Sequence, residues 1–566
     1  MTSPAQDGVR TGGADGSPLD VMLTDAALGP IRRLLPGMAA VKLAGRLTAR
    51  PVATAALSLR TAAALGKVAV GRSAVEPPPR DRRFSDPAWT GNPLLRRLCQ
   101  AYLVSGAALE QLVDAADLDW RSDRRMRFLV QMLVDASAPS NNPFLNPAAL
   151  KAGLETGGRN YRDGARQFAQ DMRTSPRIPA MVDGSGFTVG GNIAVSEGAV
   201  VLQTPIFELL QYVPRTKQVR EVPLLLVPPM INKFYIADLA PGRSMVEHLL
   251  DNGHQVFAMS WRNPAAVHRG WDLDAYVRSV LDALTVLQEV TGAERSHLLG
   301  LCAGGIVSTL AVAHLAAIGE QQRIAGLTLG VTLLDQERAG TVGAMVDEAT
   351  ARVAVAQSAR KGYLDGKALA GVFAWLRPND LIWNYWVNNY MQGRQPPAFD
   401  ILYWNADTTR MTAGLHRDFI EIAVGNSLTE AGRATMLGTP VDLSTITVDT
   451  YVTAGIADHL CPWQGCYRTT QLLGGESRFI LSTNGHIASL VNPPTNPKST
   501  FQVAASTPPD PEEWLAAAET TKGSWWPDYT AWLAERSGEE VPAPSALGGG
   551  RREVLAEAPG TYVFDK

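Results

Sequence analysis

Apolar residues recur at three- and four-residue spacing from Phe84 to about Arg173, as in L-L-R-R-L-C-Q-A-Y-L and M-R-F-L-V-Q-M-L. This spacing predicts helices. From about Phe187 the period shortens to two. F-T-V-G-G-N-I-A-V, A-V-V-L-Q-T-P and F-E-L-L-Q-Y-V predict short antiparallel strands joined by glycine turns. Strand-like runs then alternate with helical ones. E-V-P-L-L-L-V-P-P precedes a helix over S-M-V-E-H-L-L, and Q-V-F-A-M-S-W precedes one over Y-V-R-S-V-L-D-A-L. H-L-L-G-L precedes V-S-T-L-A-V-A-H-L-A, and I-A-G-L-T-L-G-V-T-L-L follows it. T-V-D-T-Y-V-T-A-G and R-F-I-L-S-T come much later. The pattern predicts an α/β fold with a mostly parallel sheet covered on both faces, behind a mainly helical N-terminal domain. The interval from about Asp335 to Asp442, which contains L-I-W-N-Y-W-V-N-N-Y, reads as a cap over the carboxyl edge of that sheet.

At 566 residues the chain exceeds what one core organises. It divides into an N-terminal region (1–80), a helical domain (81–185), the main α/β domain with its cap at about 335–442 (186–540), and a tail (541–566). Residues 1 to about 28 have the composition of disorder. Between Pro30 and Val75 stand eight Lys or Arg and no Asp or Glu. There V-K-L-A-G-R-L-T-A-R fits either a basic amphipathic helix on a surface or an Ala-rich helix docked on its own protein. E-P-P-P-R-D-R-R reads as a linker.

A hydrophobic fraction of 46% and a charged fraction of 19% are those of a soluble globular protein. The net charge of -3 gives no field that would favour nucleic acid. The polar N-terminus lacks the order of a signal peptide, and no charge-free apolar stretch approaches the ~18 residues of a spanning helix. Four cysteines are too few for a disulfide framework, which fits a reducing cytoplasm. Cys461 and Cys466 lie five apart, fit no common zinc spacing and read as buried small side chains. No metal site is expected.

Gly300-Leu301-Cys302-Ala303-Gly304 follows a strand-like run and precedes a helical one. That is the context of a nucleophile elbow, with cysteine where serine is usual. An elbow nucleophile needs an acid and then a histidine later in the chain. Asp458 follows the strand T-V-D-T-Y-V-T-A-G and His486 follows R-F-I-L-S-T, so Cys302, Asp458 and His486 stand in hydrolase order. His459 is the rival base, and Asp335 and Asp407 are fallback acids. His248, His254, His297 and His314 fall on helices or strand approaches. The oxyanion hole is expected from the backbone N–H of Ala303 and a second N–H near Met230 or Ile231.

These residues resemble the polyhydroxyalkanoate synthases, which polymerise (R)-3-hydroxyacyl-CoA. The matching blocks include P-P-M-I-N-K-F-Y-I-A-D-L, V-F-A-M-S-W-R-N-P, G-L-C-A-G-G, F-D-I-L-Y-W-N-A-D-T-T-R, A-D-H-L-C-P-W and G-H-I-A-S-L-V-N-P-P. The resemblance implies an α/β-hydrolase fold with a cap insertion and a catalytic Cys302, Asp458 and His486. It also implies a homodimer, a cytoplasmic location at polyester granules, and no cofactor, coenzyme A being the leaving group of the substrate. N-Y-W-V-N-N-Y and S-W-W-P-D-Y-T-A-W-L-A-E-R-S-G look most like the single-subunit branch that prefers medium-chain substrates. Asp458 either orients His486 or helps activate the hydroxyl. Two other functions share these residues: a thioesterase or depolymerase with the same triad, and a granule-surface binding protein with a dead site.

Overall fold

The Asn92 side chain accepts from the N–H groups of Leu94 and Leu95, and Pro93 occupies the first helical position, so a helix starts there. It belongs to a bundle of α1 (Gly37–Thr48), α2 (Pro51–Ala69), α3 (Pro93–Ala116) and α4 (Trp120–Ala136). Helices α5 (Pro147–Thr156) and α6 (Arg159–Asp171) follow. The computed structural model describes residues 37–79, 81–336 and 348–566, so the composition-based disorder of residues 1–28 lies outside the described residues.

The basic region is not a separate element. Ala39 of α1 is buried with Val113, Met126 and Val130, and Lys42 reaches Asp119 at 2.8 Å. Small alanines let α1 approach α3 and α4 closely, so the docked helix is the form adopted. Its outward positions, and those of α2, leave Met38, Val41, Val52 and Leu59 exposed.

A single eleven-stranded sheet forms the main core. Its strands are β1 (Gly198–Gln203), β2 (Phe207–Tyr212), β3 (Leu224–Val227), β4 (Val256–Trp261), β5 (Ser296–Leu301) and β6 (Ile324–Gly330). They continue with β7 (Thr450–Gly455), β8 (Ser477–Ser482), β9 (Thr500–Val503), β10 (Glu519–Lys522) and β11 (Ala556–Glu557). The spatial order is β10-β9-β8-β7-β6-β5-β3-β4-β2-β1-β11. Strands β3 to β8 run parallel and the flanking strands antiparallel. Every residue of β3, β4, β5 and β7 is buried, which explains their near-continuous apolar sequence. Helices α7 (Met245–Asp251), α8 (Leu273–Thr291) and α9 (Ala303–Ala317) cover the sheet. Among the described residues, no helix is long and apolar enough to cross a membrane.

Three expectations are corrected by tertiary contacts. Residues 187–195 form no strand. Thr188 N–H donates to the Asn192 side chain at 2.8 Å, and the chain folds back through Gly190, leaving one bridge between Val189 and Ile193. The segment 541–566 is not a detached tail. Its strand β11 extends the sheet beside β1, and the buried Glu208 carboxylate accepts from the N–H groups of Thr561 (2.9 Å) and Tyr562 (3.0 Å).

The third concerns the cap, which carries α10 (Glu348–Lys361), α11 (Gly366–Leu376), α12 (Asp400–Ala406) and α13 (Ala413–Gly425) between β6 and β7. Its Trp- and Tyr-rich stretch faces the N-terminal helices rather than the sheet's rim. The Phe168 ring of α6 lies 6.0 Å from Trp386 and 5.3 Å from Tyr390. Trp386 Nε1 donates to the Asn141 carbonyl at 3.1 Å, and the Tyr390 hydroxyl donates to Asp171 at 2.7 Å. These rings fasten two parts of the chain together. Phe373 and Trp404 are the cap aromatics that reach the central cavity.

Candidate active site

Strand β5 ends at Leu301 and α9 begins at Ala303, so Cys302 makes the whole turn. Its φ of 52° lies in the left-handed region, which costs an L-residue strain that the surroundings must hold. Cys302 N–H donates to the Gly330 carbonyl at 2.8 Å. The Cys302 carbonyl accepts from Gly305 N–H at 2.9 Å and from the Thr332 hydroxyl at 3.2 Å. Gly304 is required by close approach: any Cβ there would be driven into the carbonyl oxygens of Val227 and Pro228.

The acid and the histidine come from the last two strands of the parallel set, β7 and β8. After β7, Asp458 Oδ1 accepts from the N–H groups of Leu460 (2.8 Å) and Cys461 (2.9 Å), which pins the carboxylate. Its other oxygen, Oδ2, lies 2.7 Å from His486 Nδ1. His486 opens a short turn after β8, and the motif S-W-W holds that turn. Trp525 Nε1 donates to the Ser489 carbonyl at 2.7 Å, and Trp526 Nε1 donates to the Leu490 carbonyl at 3.0 Å. Both Asp458 and His486 are buried.

The His486 imidazole is also a hydrogen-bond and charge partner of the Cys302 thiol. Burial by itself works against an imidazolium at His486, but the Asp458 carboxylate, with the Cys302 sulfur behind it, raises its pKa to about 10. Cys302 is held well below the ordinary thiol range. The largest influence is a hydrogen bond from the Cys461 thiol; burial opposes it, and His486 and the Ala303 N–H add to it. Cys461 shifts the other way, well above that range, because it donates to Cys302 and is buried. These directions favour a thiolate at Cys302 and an imidazolium at His486, with the neutral Cys461 thiol beside them.

These groups open on a cavity of about 80 Å³ with mainly apolar walls, among them Ile236, Val331, Leu333, Phe373, Trp404 and Ile487. Ala303 and Ile231, the expected oxyanion donors, both line it. The loop carrying Ile231 is clamped by the cap: Thr409 donates its hydroxyl to the Met230 carbonyl (2.7 Å) and its N–H to the Ile231 carbonyl (3.1 Å). One ligand atom each from Asp458, Cys461 and His486 lies within 4.8 Å of the others. Within that set Asp458 Oδ2 and His486 Nδ1 already face each other at 2.7 Å.

Residues 80–249 match the family model for the N-terminus of poly-beta-hydroxybutyrate polymerase (PhaC), and residues 224–493 match that of the alpha/beta hydrolase fold. Over 502 residues the chain is 44% identical to poly(3-hydroxyalkanoate) polymerase 1 of Ectopseudomonas oleovorans, covering 89% of each chain. The chain belongs to the poly(3-hydroxyalkanoate) polymerase family. It is also 40% identical to the poly(3-hydroxyalkanoate) polymerase subunit PhaC of Cupriavidus necator, across 88% of this chain and 85% of that one. A hydrolase from Pseudomonas aeruginosa is 18% identical with a TM-score of 0.33, covering 52% of this chain and 92% of that one. The first model spans most of the helical part and runs on into the first strands of the sheet, and the second spans the capped α/β-hydrolase part from β3 to the turn after β8.

In this member of the polymerase family the rival residues are engaged elsewhere. Asp335 bonds Asn426 (3.0 Å) and Arg468 (3.3 Å), and Asp407 accepts from the Tyr235 hydroxyl (2.9 Å). Burial takes His459 down to about 4, and its Nδ1 has no hydrogen-bond partner. His297 and His314 bond Ser537 and Thr439. Among the described residues, His486 is the histidine that lines the cavity. Sequence reasoning missed Cys461, read as an inert small side chain. The available signal was its place three residues after Asp458 on the same tight loop.

Proposed function

We propose that this chain polymerises (R)-3-hydroxyacyl-CoA into polyhydroxyalkanoate through acyl thioesters on Cys302, releasing coenzyme A. The observation that carries the reading is the half-buried thiol on a strained elbow. It faces His486, which is itself held by Asp458 at 2.7 Å. The Cys302 sulfur attacks the thioester carbonyl, and the N–H groups of Ala303 and Ile231 receive the developing oxyanion. His486 gives its proton to the departing coenzyme A sulfur. A hydroxyl from the chain end or the next monomer then attacks acyl-Cys302 while neutral His486 takes its proton, and the thiolate is restored.

Cysteine suits this cycle because one thioester is exchanged for another at little cost in free energy. The acyl group stays activated for transfer to an alcohol, whereas an ester on serine would lose most of that driving force. The apolar cavity disfavours water, the competing acceptor. The 2.7 Å contact to Nδ1 favours Asp458 as the residue that orients His486. No cofactor enters the scheme.

A homodimer and attachment to polyester granules belong to the same proposal, the latter supported by the exposed apolar residues on the basic helices α1 and α2. The test supplies four-carbon and eight-carbon 3-hydroxyacyl-CoA to the chain alone and follows coenzyme A, insoluble polymer and free hydroxy acid. Polymer with released coenzyme A, faster from the eight-carbon substrate, is expected. Free hydroxy acid without polymer would make the protein a hydrolase, and granule binding without coenzyme A release would make it a binding protein.

A further inference from the structure

Cys461 forms and breaks no bond to the acyl group in the proposed cycle, yet it lines the same cavity as Cys302 and its thiol hydrogen-bonds to the Cys302 sulfur. Its position is built in. Asp458 Oδ1 accepts from the Cys461 N–H at 2.9 Å, so one carboxylate places both the histidine and the second thiol. The other two cysteines are arranged differently. Cys466 points its sulfur at the Cys461 carbonyl at 3.7 Å, and Cys99 packs with Phe84 and Trp89 in the helical domain.

A half-buried thiolate at the wall of a cavity is open to oxidation by any oxidant small enough to enter. The cavity of about 80 Å³ admits hydrogen peroxide, which is little larger than water, far more readily than a tripeptide thiol. We propose that Cys461 is a resolving thiol: a hydroperoxide drives Cys302 and Cys461 into a reversible disulfide that silences the site and spares the nucleophile from irreversible oxidation.

The chemistry closes with groups already present. The Cys302 thiolate attacks one peroxide oxygen, a sulfur–oxygen bond forms, the oxygen–oxygen bond breaks, and the departing hydroxide takes the His486 proton. Cys302 is then a sulfenic acid and His486 is neutral. Cys461 gives its proton to His486, whose ligand atom lies within 4.8 Å of its own, and attacks the Cys302 sulfur. A disulfide forms, the sulfur–oxygen bond breaks, and hydroxide leaves with that proton as water. Two thiols have been oxidised, and one peroxide has been reduced to two waters. Bonding distance requires the loop between β7 and α14 (Trp463–Leu472) to carry Cys461 inward by about 1–2 Å. A dithiol reverses the process.

The inference needs an ionised Cys302 but no acyl transfer, so its readout is independent of the polymerase reading. The full chain is treated with hydrogen peroxide and its peptides are mapped by mass without reduction, then again after dithiothreitol. In the wild type we expect a Cys302–Cys461 linked peptide, loss of coenzyme A release, and return of most of that activity with dithiothreitol. In Cys461→Ala, normalised to its own starting rate, recovery falls about tenfold and the Cys302 peptide carries two or three oxygens. Oxidised wild type without the linked peptide would overturn the inference, whatever the fate of activity. So would Cys461→Ala recovering as fully as the wild type.

Discussion

Replacing Asp458 with asparagine removes one charge from the site and leaves its shape. The carbonyl of the new amide can still accept from the Leu460 and Cys461 N–H groups, so the loop keeps its form, but the group 2.7 Å from His486 Nδ1 is no longer a carboxylate oxygen. The size of the effect follows from two routes. Two unit charges about 4 Å apart interact by about 4 kcal/mol at an effective dielectric near 20. The rise of His486 from 6.5 to about 10 is worth about 5 kcal/mol at 1.36 kcal/mol per pH unit. Losing that charge should bring His486 down toward its ordinary value and cut the ratio of thiolate–imidazolium to thiol–imidazole by up to about a thousandfold. The sign is fixed. The wild-type thiolate persists below the ordinary thiol range, so alkylation of Cys302 by iodoacetamide should depend on pH far less steeply than that of an ordinary thiol. In Asp458→Asn the rate should climb with pH and at pH 7 lie about 10² to 10³ below wild type, with coenzyme A release falling in parallel. A folded variant alkylated at pH 7 within about twofold of wild type would refute the electrostatic argument. If such a variant also released the first coenzyme A normally and failed only in elongation, Asp458 would act on the incoming hydroxyl instead.

Cys302→Ser should fold, since serine fits the same turn, and lose at least about 10²-fold in polymer formation; near-normal turnover would contradict the thiol argument. Stability should fall on the acid side. His254, His297 and His459 are pushed by burial to about 4, 3 and 4, so each binds a proton near 6.5 when unfolded but stays neutral in the fold. The stability they lend is full above 6.5 and is lost as pH falls, about 1.4 kcal/mol each and roughly 4 kcal/mol together between pH 7.5 and 5.5. Urea midpoints that do not move over that interval would reject this. Replacing Val52 and Leu59, which are 82% and 72% exposed, with aspartate should lower co-sedimentation with polyester granules by at least about tenfold per site. Coenzyme A release from soluble substrate should stay within about twofold, and unchanged granule binding would remove α2 from the attachment surface.

The parts legible in the sequence are those fixed locally. The bend at Cys302 needs Gly304 within two residues, and each acid or base stands a few residues past an apolar strand, so period and spacing were enough. Contacts between distant segments were not legible. The clasp of Thr561 and Tyr562 on Glu208 joins chain positions whose local patterns carry no trace of each other. The aromatic run through Trp386 and Tyr390 read as part of a cap over the sheet's carboxyl edge, but Phe168 and Asn141 claim it as an interface. Residues 187–195 alternate like a strand, yet Asn192 hydrogen-bonds Thr188 and turns them back.

Cys461 shows the same limit at the site itself and explains why the limit matters. A thioester carrier must be ionised to attack and a good leaving group afterwards, and a lowered thiol pKa serves both needs. The hydrogen bond from Cys461 helps hold Cys302 in that state, together with His486 and the Ala303 N–H. Once Cys302 is acylated the thiolate is gone and Cys461 loses its charged acceptor, so its stabilisation acts only on the free enzyme and the departing sulfur. A donor of that kind eases deacylation by the alcohol and is given up when the free sulfur attacks. Cys461→Ala should therefore slow elongation more than acylation, whereas loss of an ordinary substrate contact would raise KM alone. Measured on single turnovers, an effect confined to KM would reduce Cys461 to a wall of the cavity.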